Sequence, residues 1–493
     1  MTAVPSVTAT PEIVIVGAGF GGIGMAIQLK KAGIDSFVVL EKDGDLGGTW
    51  RANAYPGCAC DVPSHLYSYS FALNPDWSRM FSPREEIWDY LRSCVRKYGI
   101  EPHLRYGVRV ASMRWEESAG RWRVETAGGE VLTPRVVVSA IGALHVPSYP
   151  GVPGRDRFTG RQFHSAEWDS GYDLTGKRVA VVGTGASAVQ FVPRIAEQVS
   201  RLHVFQRTPA WIHPRPDAEI PAERRRRFRS NPLAMRAFRA SIYLALELRG
   251  LGFAVSPKLM GPLEDLARRH LRRQVGDPEL RSRLTPDYTI GCKRILLSSD
   301  YYPALARPNV ELVTDPIAEI TEHGIRTRDG TSYDVDAIVY GTGFRVTSAL
   351  LDQQIVGRDG LTLQDAWADG VTAHHGITVA GFPNLFMLLG PNTGLAHTSV
   401  VFMIETQVRH VMSCLRMLRR RRGEVVEVEA AAQRRFDAML RRRLDRAVWS
   451  TGGCTSWYLD EHGVNRTLWP GFTFEYWART RRARRSDYRI AGA

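Results

Sequence analysis

A glycine-rich turn near the start of this chain has the spacing of a phosphate-binding turn. It reads Gly17-x-Gly19-x-x-Gly22 and lies between the apolar run 13–16 and an apolar helical stretch. Glycines at this spacing let the backbone turn tightly and approach a pyrophosphate, which the N-terminus of the following helix then meets. An acid, Glu41, ends the next apolar run, where it can receive ribose hydroxyls. The segment predicts a dinucleotide site, and a glycine-rich turn in an unrelated βαβ unit is the alternative.

A second turn of the same kind occurs near the middle of the chain. It reads Gly183-x-Gly185-x-x-Ala188, and a small third residue is permitted there. The next apolar run ends in Gln206-Arg207-Thr208, without a carboxylate. An acid at that point favours a free ribose hydroxyl, whereas an arginine accommodates a 2′-phosphate. The second turn therefore predicts NADP(H), and Glu41 at the first turn fits FAD. The alternative for Arg207 is a surface arginine at a strand end.

Two dinucleotide sites imply two electron carriers, and the cysteine pattern narrows the choice of electron acceptor. A disulfide reductase would need a redox-active CxxC or CxxxxC pair near the flavin, and the six cysteines include none. Cys58 and Cys60 form a CxC pair, but no second pair stands at zinc-ligand spacing, so no metal site is predicted. So few cysteines also argue against a disulfide framework and favour a reduced, cytoplasmic protein. Dioxygen or a protein partner remains as the acceptor.

Length and composition indicate a soluble protein of more than one domain. The chain has 493 residues, of which 44% are hydrophobic and 24% charged. Its net charge of +14 is concentrated in arginine runs at 222–230 and 479–489. Neither run belongs to a recognisable nucleic-acid module, so we interpret the excess as solvated surface and a preference for anionic ligands. The sequence has no secretory signal pattern and no apolar stretch of about 18 residues, so no membrane span is expected.

Two Rossmann-like domains of the α/β class must position these turns, one for FAD and one for NADP. We predict that residues 1–150 and 378–493 form the FAD domain, the second part ending in a lid loop and a disordered basic tail. Residues 151–213 should hold a linker and the first part of the NADP domain, and residues 294–377 its second part. The arginine-rich stretch 214–293 is predicted to be a helical insertion. A third strand and turn, 336–344, should return the chain between domains.

The segment between the two turns is aromatic and has no secondary-structure period, which makes it too irregular for a strand. It reads Phe158-x-Gly160-x-x-x-His164-x-x-x-Trp168-Asp169. This pattern resembles the fingerprint of type I Baeyer–Villiger monooxygenases, F-x-G-x-x-x-H-x-x-x-W-[PD]. A second signature, "GGTWRANAYPGCACD" at 47–61, is similar to that of the same family. The resemblance covers nearly the whole chain, and it is strongest to enzymes similar to phenylacetone and 4-hydroxyacetophenone monooxygenases.

The resemblance implies a reaction. In this family NADPH reduces FAD, the reduced flavin adds dioxygen at C(4a), and the peroxyflavin attacks a ketone carbonyl to give an ester or a lactone. The implied partners are a small-molecule ketone and dioxygen, with no nucleic acid and no membrane, in a monomer or homodimer. The alternatives are a monooxygenase on the same scaffold that oxidises sulfur or nitrogen, which Trp168 disfavours, and an electron-transfer module.

The resemblance also assigns roles to residues. Arg294, within "GCKRILLSSDYY", takes the place of the active-site arginine, and Asp61 takes that of the acid that orients it. Lys293 joins Arg207 and Thr208 on the 2′-phosphate. The fingerprint is expected at a hinge, with His164 as an inter-domain hydrogen-bonding group, and Trp457 in the loop that closes over the nicotinamide. The further expected cofactor contacts are Gly48, Thr49, Trp50, Asp61, Tyr67 and Val110 at the first site, and Thr184, Ala186, Ser187 and Gln190 at the second. A surface ion pair for Arg294, a turn cap for Asp61, a packed histidine for His164 and ordinary core aromatics for Trp50 and Tyr67 are the structural alternatives.

Overall fold

The computed structural model describes residues 10–346, 353–421 and 424–491. Its strands, numbered in chain order, are β1 Ile13–Val16, β2 Phe37–Leu40, β3 Leu104–Arg105, β4 Val110–Glu116, β5 Arg121–Thr126, β6 Val131–Leu132, β7 Val136–Ser139, β8 Arg161–His164, β9 Arg178–Val182, β10 Arg201–Phe205, β11 Ile212–His213, β12 Leu296–Leu297, β13 Val310–Val313, β14 Ile317–Ile320, β15 Gly324–Thr327, β16 Ser332–Asp334, β17 Ala337–Tyr340, β18 Gln354–Val356, β19 Leu385–Met387, β20 Val425–Val428 and β21 Tyr488–Ala491. Its α-helices are α1 Phe20–Lys31, α2 Thr49–Ala52, α3 Arg84–Tyr98, α4 Ala188–Ile195, α5 Ala222–Ser230, α6 Pro232–Ala254, α7 Gly261–Gln274, α8 Pro278–Arg283, α9 Tyr301–Leu305, α10 Leu363–Ala366, α11 Val400–Arg421, α12 Ala430–Leu444, α13 Val448–Thr451 and α14 Thr473–Thr480.

The first glycine turn belongs to a parallel five-stranded sheet with the strand order β19-β7-β1-β2-β3. Strands β1, β2 and β7 are buried along their whole length, as expected for strands covered on both faces. β1 pairs with β2 on one side and with β7 on the other. The turn that follows β1 therefore opens at the point where the strand order reverses, which is the ligand-binding point of such sheets.

The second glycine turn belongs to a separate sheet of parallel strands, in the order β13-β10-β9-β17-β8. β9 and β10 are the strands predicted on either side of the turn, and the predicted third strand, β17, pairs with β9. The edge strand β8 corrects one expectation. Residues 161–164 of the aromatic segment pair with β17, so the segment is not too irregular for a strand. Its periodicity is hidden because only four residues are extended.

The predicted helical insertion is confirmed by α5 to α8, which lie between residues 222 and 283. The chain enters the insertion after β11 and leaves it just before β12, and these two strands pair in parallel. The pairing of these two strands therefore holds the two ends of the insertion together. The two Rossmann-like units with this insertion match the predicted fold class, while the domain boundaries stay a prediction.

The prediction of a disordered basic tail is wrong for the described residues. α14 ends at Thr480, and β21 then pairs antiparallel with β20. Arg489 in β21 also forms an ion pair with Glu427 in β20, at 2.9 Å. The arginine-rich composition suggested disorder, but alternate apolar residues in β21, such as Tyr488 and Ile490, pack against the core. No helix among the described residues is long and apolar enough to span a membrane.

Candidate active site

The three glycines of the first turn serve different purposes. Gly17 has a φ of +102°, and a Cβ there would lie 2.7 Å from the carbonyl oxygen of Ala140. A Cβ at Gly22 would overlap the carbonyl oxygen of Gly17, so this glycine allows α1 to pack close to β1. Gly19 differs, because its nearest neighbour would be the Cα of Gly48 at 3.7 Å. The space in front of Gly19 is open, and a side chain there would fill the cradle that a pyrophosphate needs.

The Glu41 carboxylate holds the turn itself. Its Oε2 atom accepts a hydrogen bond from the Ala18 backbone N–H at 2.7 Å, and Oε1 accepts one from Asp43 at 3.0 Å. Glu41 is buried at the end of β2. A carboxylate has further lone pairs, so these two bonds leave capacity for ribose hydroxyls. Val110, predicted as a cofactor contact, is a buried core residue at the start of β4.

Residues of the second signature lie against this turn. Gly48 has a φ of +54° and immediately precedes α2, whose first residues are Thr49 and Trp50. The Trp50 indole N–H donates to the Tyr67 hydroxyl at 3.2 Å, and the two rings meet edge to face. Burial raises the pKa of Tyr67, so its hydroxyl keeps its proton. Together with the open cradle at Gly19, these groups fit an adenine dinucleotide that carries a flavin.

The second turn repeats the geometry of the first. Gly183 has a φ of +105°, and a Cβ there would lie 2.5 Å from the Gly341 carbonyl oxygen, whereas Gly185 would have only a distant contact at 3.8 Å. The Thr184 hydroxyl donates to the backbone carbonyl of Thr208 at 3.4 Å, which links the turn to the end of β10. Ala186 and Ser187 lead into α4 with part of their surface exposed.

Two cations stand together beside this turn. Arg207 is exposed, and Lys293 lies near enough for the two charges to repel each other. Burial, and then Arg207, lower the pKa of Lys293. The Lys293 ammonium lies 5.0 Å from the centre of the Tyr288 ring. Within the described part of the chain neither cation has an ion-pair partner, which fits a site for the 2′-phosphate of NADP(H).

Arg294 and Asp61 form the ion pair that the sequence predicted, across 233 residues of chain. Arg294 Nε donates to Asp61 Oδ2 at 2.8 Å, and a second guanidinium nitrogen lies 2.6 Å from the same oxygen. A further nitrogen, Nη1, donates to the Leu395 carbonyl at 3.3 Å. Asp61 raises the pKa of Arg294 further above its ordinary value, against the opposing effect of burial. The guanidinium is thus a permanent charge with a fixed orientation.

Gln190, predicted as a cofactor contact, joins the two Rossmann-like units, and its contact with a cofactor stays a prediction. Its Oε1 atom accepts from the Tyr55 hydroxyl at 3.0 Å and from the Ala59 N–H at 3.3 Å, and its Nε2 donates to the Ala59 carbonyl at 2.9 Å. These bonds use both ends of the amide. Tyr55 belongs to the second signature, "YPG", so the motif contained the partner although the contact could not be deduced from it.

The fingerprint residues pack between the edge strand and α4. Phe158 is buried, and a Cβ at Gly160 would lie 2.6 Å from the Asp336 carbonyl oxygen. The Trp168 ring contacts Phe163 and Phe191, and Phe191 in turn contacts Tyr55 of the other unit. Asp169 Oδ2 accepts from Arg161 Nε at 2.7 Å.

The histidine of the fingerprint is buried at the end of β8. Its Nδ1 accepts from the Ala166 N–H at 3.1 Å, and its ring lies edge-on to Tyr149 and Phe344. Burial lowers the pKa of His164, so the ring is neutral at neutral pH. Its role at a hinge stays a prediction.

The late loop contains a disulfide that the sequence did not predict. Cys292 and Cys454 are bonded, so the expectation of a wholly reduced protein is wrong for this pair. They lie 162 residues apart in no recognisable spacing, so sequence reasoning had no signal for them. The bond joins the late loop to the segment just before Arg294. Cys58 and Cys60 are buried free thiols and belong to no group of potential metal ligands among residues 10–346, 353–421 and 424–491.

Two adjacent aromatic residues of the late loop differ in how far they are buried. Trp457, predicted to contact the nicotinamide, is 49% exposed. Its neighbour Tyr458 is 1% exposed and contacts the Trp457 ring at 4.5 Å between centres. The charges of Arg294 and Asp61 also act on the pKa of Tyr458, which Arg294 lowers and Asp61 raises. Sequence reasoning missed Tyr458, although it stands next to the tryptophan that was chosen.

Comparisons with known proteins agree with this site. A family profile described as "Pyridine nucleotide-disulphide oxidoreductase" matches residues 14–235, which contain both glycine turns. A Baeyer-Villiger monooxygenase of Pseudomonas aeruginosa is 49% identical over 97% of this chain and 91% of its own length, and one of Streptomyces coelicolor is 48% identical over 97% and 92%. A crystal structure of OTEMO in complex with FAD and NADP has a TM-score of 0.88 at 29% identity, over 98% of this chain and 100% of that one.

Proposed function

We propose roles for the individual side chains from the premise that this chain belongs to the type I Baeyer–Villiger monooxygenases. It is an NADPH- and FAD-dependent enzyme that inserts one atom of dioxygen next to a ketone carbonyl to give an ester or a lactone. FAD supplies the chemistry that activates dioxygen when it is bound. The alternative of a dedicated sulfur- or nitrogen-oxidising enzyme is not favoured by the names of the relatives.

The Arg294–Asp61 pair is the observation that carries the assignment of catalytic residues. The reaction develops negative charge on the carbonyl oxygen of the substrate, and a fixed cation beside it lowers the energy of that charge. Arg294 is therefore the residue that stabilises the developing oxyanion. Asp61 and the Leu395 carbonyl orient the guanidinium through the bonds at 2.8 and 3.3 Å.

The two turns hold the two cofactors in this proposal. Gly19 and Gly48 at the first turn would hold FAD, with Glu41 as the acceptor for ribose hydroxyls and Trp50 and Tyr67 for the ring. Residues 183–187 at the second turn would hold NADPH, with Arg207, Thr208 and Lys293 for the 2′-phosphate. Arg207 and Lys293, which have no ion-pair partner among the described residues, support this assignment. Gln190 acts as a tether between the units.

The fingerprint and the late loop are assigned to motion between these sites. Trp168 contacts Phe191, which packs on Tyr55 of the other unit, so a rotation of one unit would be transmitted through these rings. Gly160 and His164 fix the start of the segment on β8. Trp457 is 49% exposed, and we assign it to the contact with the nicotinamide during closure.

We also propose the class of substrate, the oligomeric state and the location of the enzyme. The oxygen-accepting substrate is a ketone, and the enzyme is a monomer or homodimer that binds neither nucleic acid nor membrane. We propose a cytoplasmic location because the reaction draws on NADPH; the Cys292–Cys454 disulfide argues in the other direction. Cell fractionation with antibodies to the protein would decide between them.

Coupled turnover tests the proposed function. The purified holoenzyme would be given NADPH, dioxygen and a panel of linear, aryl, cyclic and steroid ketones. We expect oxygen uptake that matches NADPH loss, and an ester or lactone heavier than the ketone by one oxygen atom in mass spectrometry. NADPH loss that yields only hydrogen peroxide with every ketone, or a product from thioethers and amines alone, would contradict the assignment.

A further inference from the structure

Tyr458 carries a buried hydroxyl that no described residue satisfies. The side chain is 1% exposed, and its oxygen lacks a hydrogen-bond partner within the described part of the chain. A buried hydroxyl without a partner destabilises a fold, because it has lost its bonds to water and gained none. Each such group needs an explanation, and beside a proposed catalytic residue a ligand that supplies the missing partner is one.

Backbone hydrogen bonds and a disulfide hold the loop that contains Tyr458 in place. The Arg466 N–H donates to its backbone carbonyl at 3.2 Å, and the Thr289 N–H donates to the carbonyl of Gly452 at 3.0 Å. The Cys292–Cys454 disulfide ties the same loop to the segment that carries Arg294. The phenol ring lies in the apolar cluster that also contains Leu395, whose carbonyl accepts from Arg294.

The electrostatics of the site make this hydroxyl a donor. Burial raises the pKa of Tyr458 to about 12; Arg294 acts to lower it and Asp61 to raise it. The phenol therefore keeps its proton at neutral pH. The apolar cluster shared with Leu395, whose carbonyl accepts from Arg294, and the disulfide two residues before Arg294 place the phenol in the neighbourhood of the ion pair, whose two charges act on it.

We infer that the Tyr458 hydroxyl donates a hydrogen bond to the carbonyl oxygen of the ketone, next to the Arg294 guanidinium. This inference rests on the proposed function. Arg294 supplies charge, and the phenol supplies a directional neutral donor, so together they fix the carbonyl by two donors. Tyr458 would thus be a substrate-binding residue that selects for an oxygen acceptor, and the buried hydroxyl would gain its partner when the substrate arrives.

Tyr458→Phe tests the inference, with Tyr301→Phe as a matched control. Tyr301 is also buried and its hydroxyl also lacks a partner among the described residues, but the neighbour that acts on its pKa is Tyr302, not the ion pair. Both variants remove one unsatisfied hydroxyl and nothing else. We expect both to bind FAD and to melt at the wild-type temperature or above it.

The two variants should differ in ketone binding. With cyclohexanone, or the panel ketone that turns over best, Tyr458→Phe should raise the ketone KM roughly tenfold and leave the NADPH KM unchanged. The dissociation constant of that ketone from oxidised enzyme with NADP⁺, followed by the flavin absorbance, should rise by the same factor. Tyr301→Phe should change neither constant.

Three results would overturn the inference. An unchanged ketone constant would mean that the hydroxyl does not contact the substrate. A raised NADPH KM instead would place it on the nicotinamide cofactor. A lowered melting temperature in Tyr458→Phe alone would give it a structural partner. If the wild-type enzyme makes no ester from any ketone, the proposed function fails separately, and the titration still reports whether Tyr458 binds a carbonyl compound.

Discussion

At the scale of single residues, the proposed role of Arg294 is to stabilise charge on the substrate. Its guanidinium is held by Asp61 and by a backbone carbonyl, so that role would need little reorganisation. The two residues belong to motifs far apart in the sequence, and only the fold brings them together. An arginine suits the position because it stays charged at any physiological pH.

Replacing Arg294 by alanine should abolish ester formation. Loss of one preorganised charge typically costs on the order of 3 kcal/mol, about a hundredfold or more in rate. FAD binding and reduction by NADPH should persist, and the reducing equivalents should appear as hydrogen peroxide. Ester yield, peroxide and flavin bleaching would be measured on one preparation, with Arg294→Lys as a variant that keeps the charge but loses the two-point hold. Ester formation at the wild-type rate in the alanine variant would assign the role to another cation.

Arg207 should set the preference for NADPH over NADH. Because the guanidinium can pair a 2′-phosphate, Arg207→Ala should raise the KM for NADPH by roughly tenfold or more and leave that for NADH almost unchanged. Steady-state kinetics with both cofactors measure this. Equal effects on the two would show that the residue does not contact the phosphate.

Lys293 should add a pH dependence to the same preference. Burial and Arg207 lower its pKa, so it loses its proton, and its attraction for the phosphate, at a lower pH than an ordinary lysine. The KM for NADPH should therefore rise with pH before the usual range of lysine is reached, while the KM for NADH stays level. In Arg207→Ala the rise should move to higher pH, because one cause of the lowered pKa is gone. A rise shared by both cofactors would contradict this reading.

At the scale of elements, the turn after β1 contains two glycines that the fold requires and one that leaves space for a ligand. Gly17 and Gly22 are required by the protein's own backbone, whereas Gly19 has open space in front of it. A test of cofactor binding must therefore change Gly19 and leave the other two glycines in place.

Gly19→Val should give a folded, colourless protein. The added side chain would occupy the space of the pyrophosphate without a clash with backbone, since the nearest atom to a Cβ is 3.7 Å away. Gly44→Val is a suitable control, because a Cβ there has nothing within 4 Å. Flavin absorbance and circular dichroism report binding and folding in turn. A yellow, fully loaded Gly19→Val protein would show that FAD lies elsewhere.

The sequence was sufficient for elements that follow local rules. Both glycine turns, their flanking strands and the helical insertion could be predicted, since apolar runs and glycine spacing are short-range signals. The Arg294–Asp61 pair was reached through a family resemblance. β8 and β21 were missed because short strands without a continuous apolar run are specified by the partner to which they pair. Tyr458 and the disulfide were missed because burial and distant contacts are set by tertiary packing.

At the scale of the whole molecule, the two units touch through specific contacts near the cofactor sites. Gln190 spans the boundary with three hydrogen bonds, and the ring sequence Trp168–Phe191–Tyr55 runs beside it. Such contacts allow limited motion of one unit relative to the other and keep the two cofactor sites facing each other. Arginines of both basic runs also pair with acids of the fold, as in Arg229–Asp76 and Arg489–Glu427.

The Cys292–Cys454 bond turns the middle of the molecule into a covalent ring. The ring includes β17 of the second sheet, β19 of the first sheet and α11, so both units share it. Closing a loop of this size restricts the unfolded chain by about 5 kcal/mol in the entropic account. A single trypsin cut inside the ring should leave one covalent molecule on a denaturing gel until a reductant is added, whereas a cut outside it should release a fragment at once. Fragments that separate without reductant after a cut inside the ring would show that the chain is open, with two topologically independent halves.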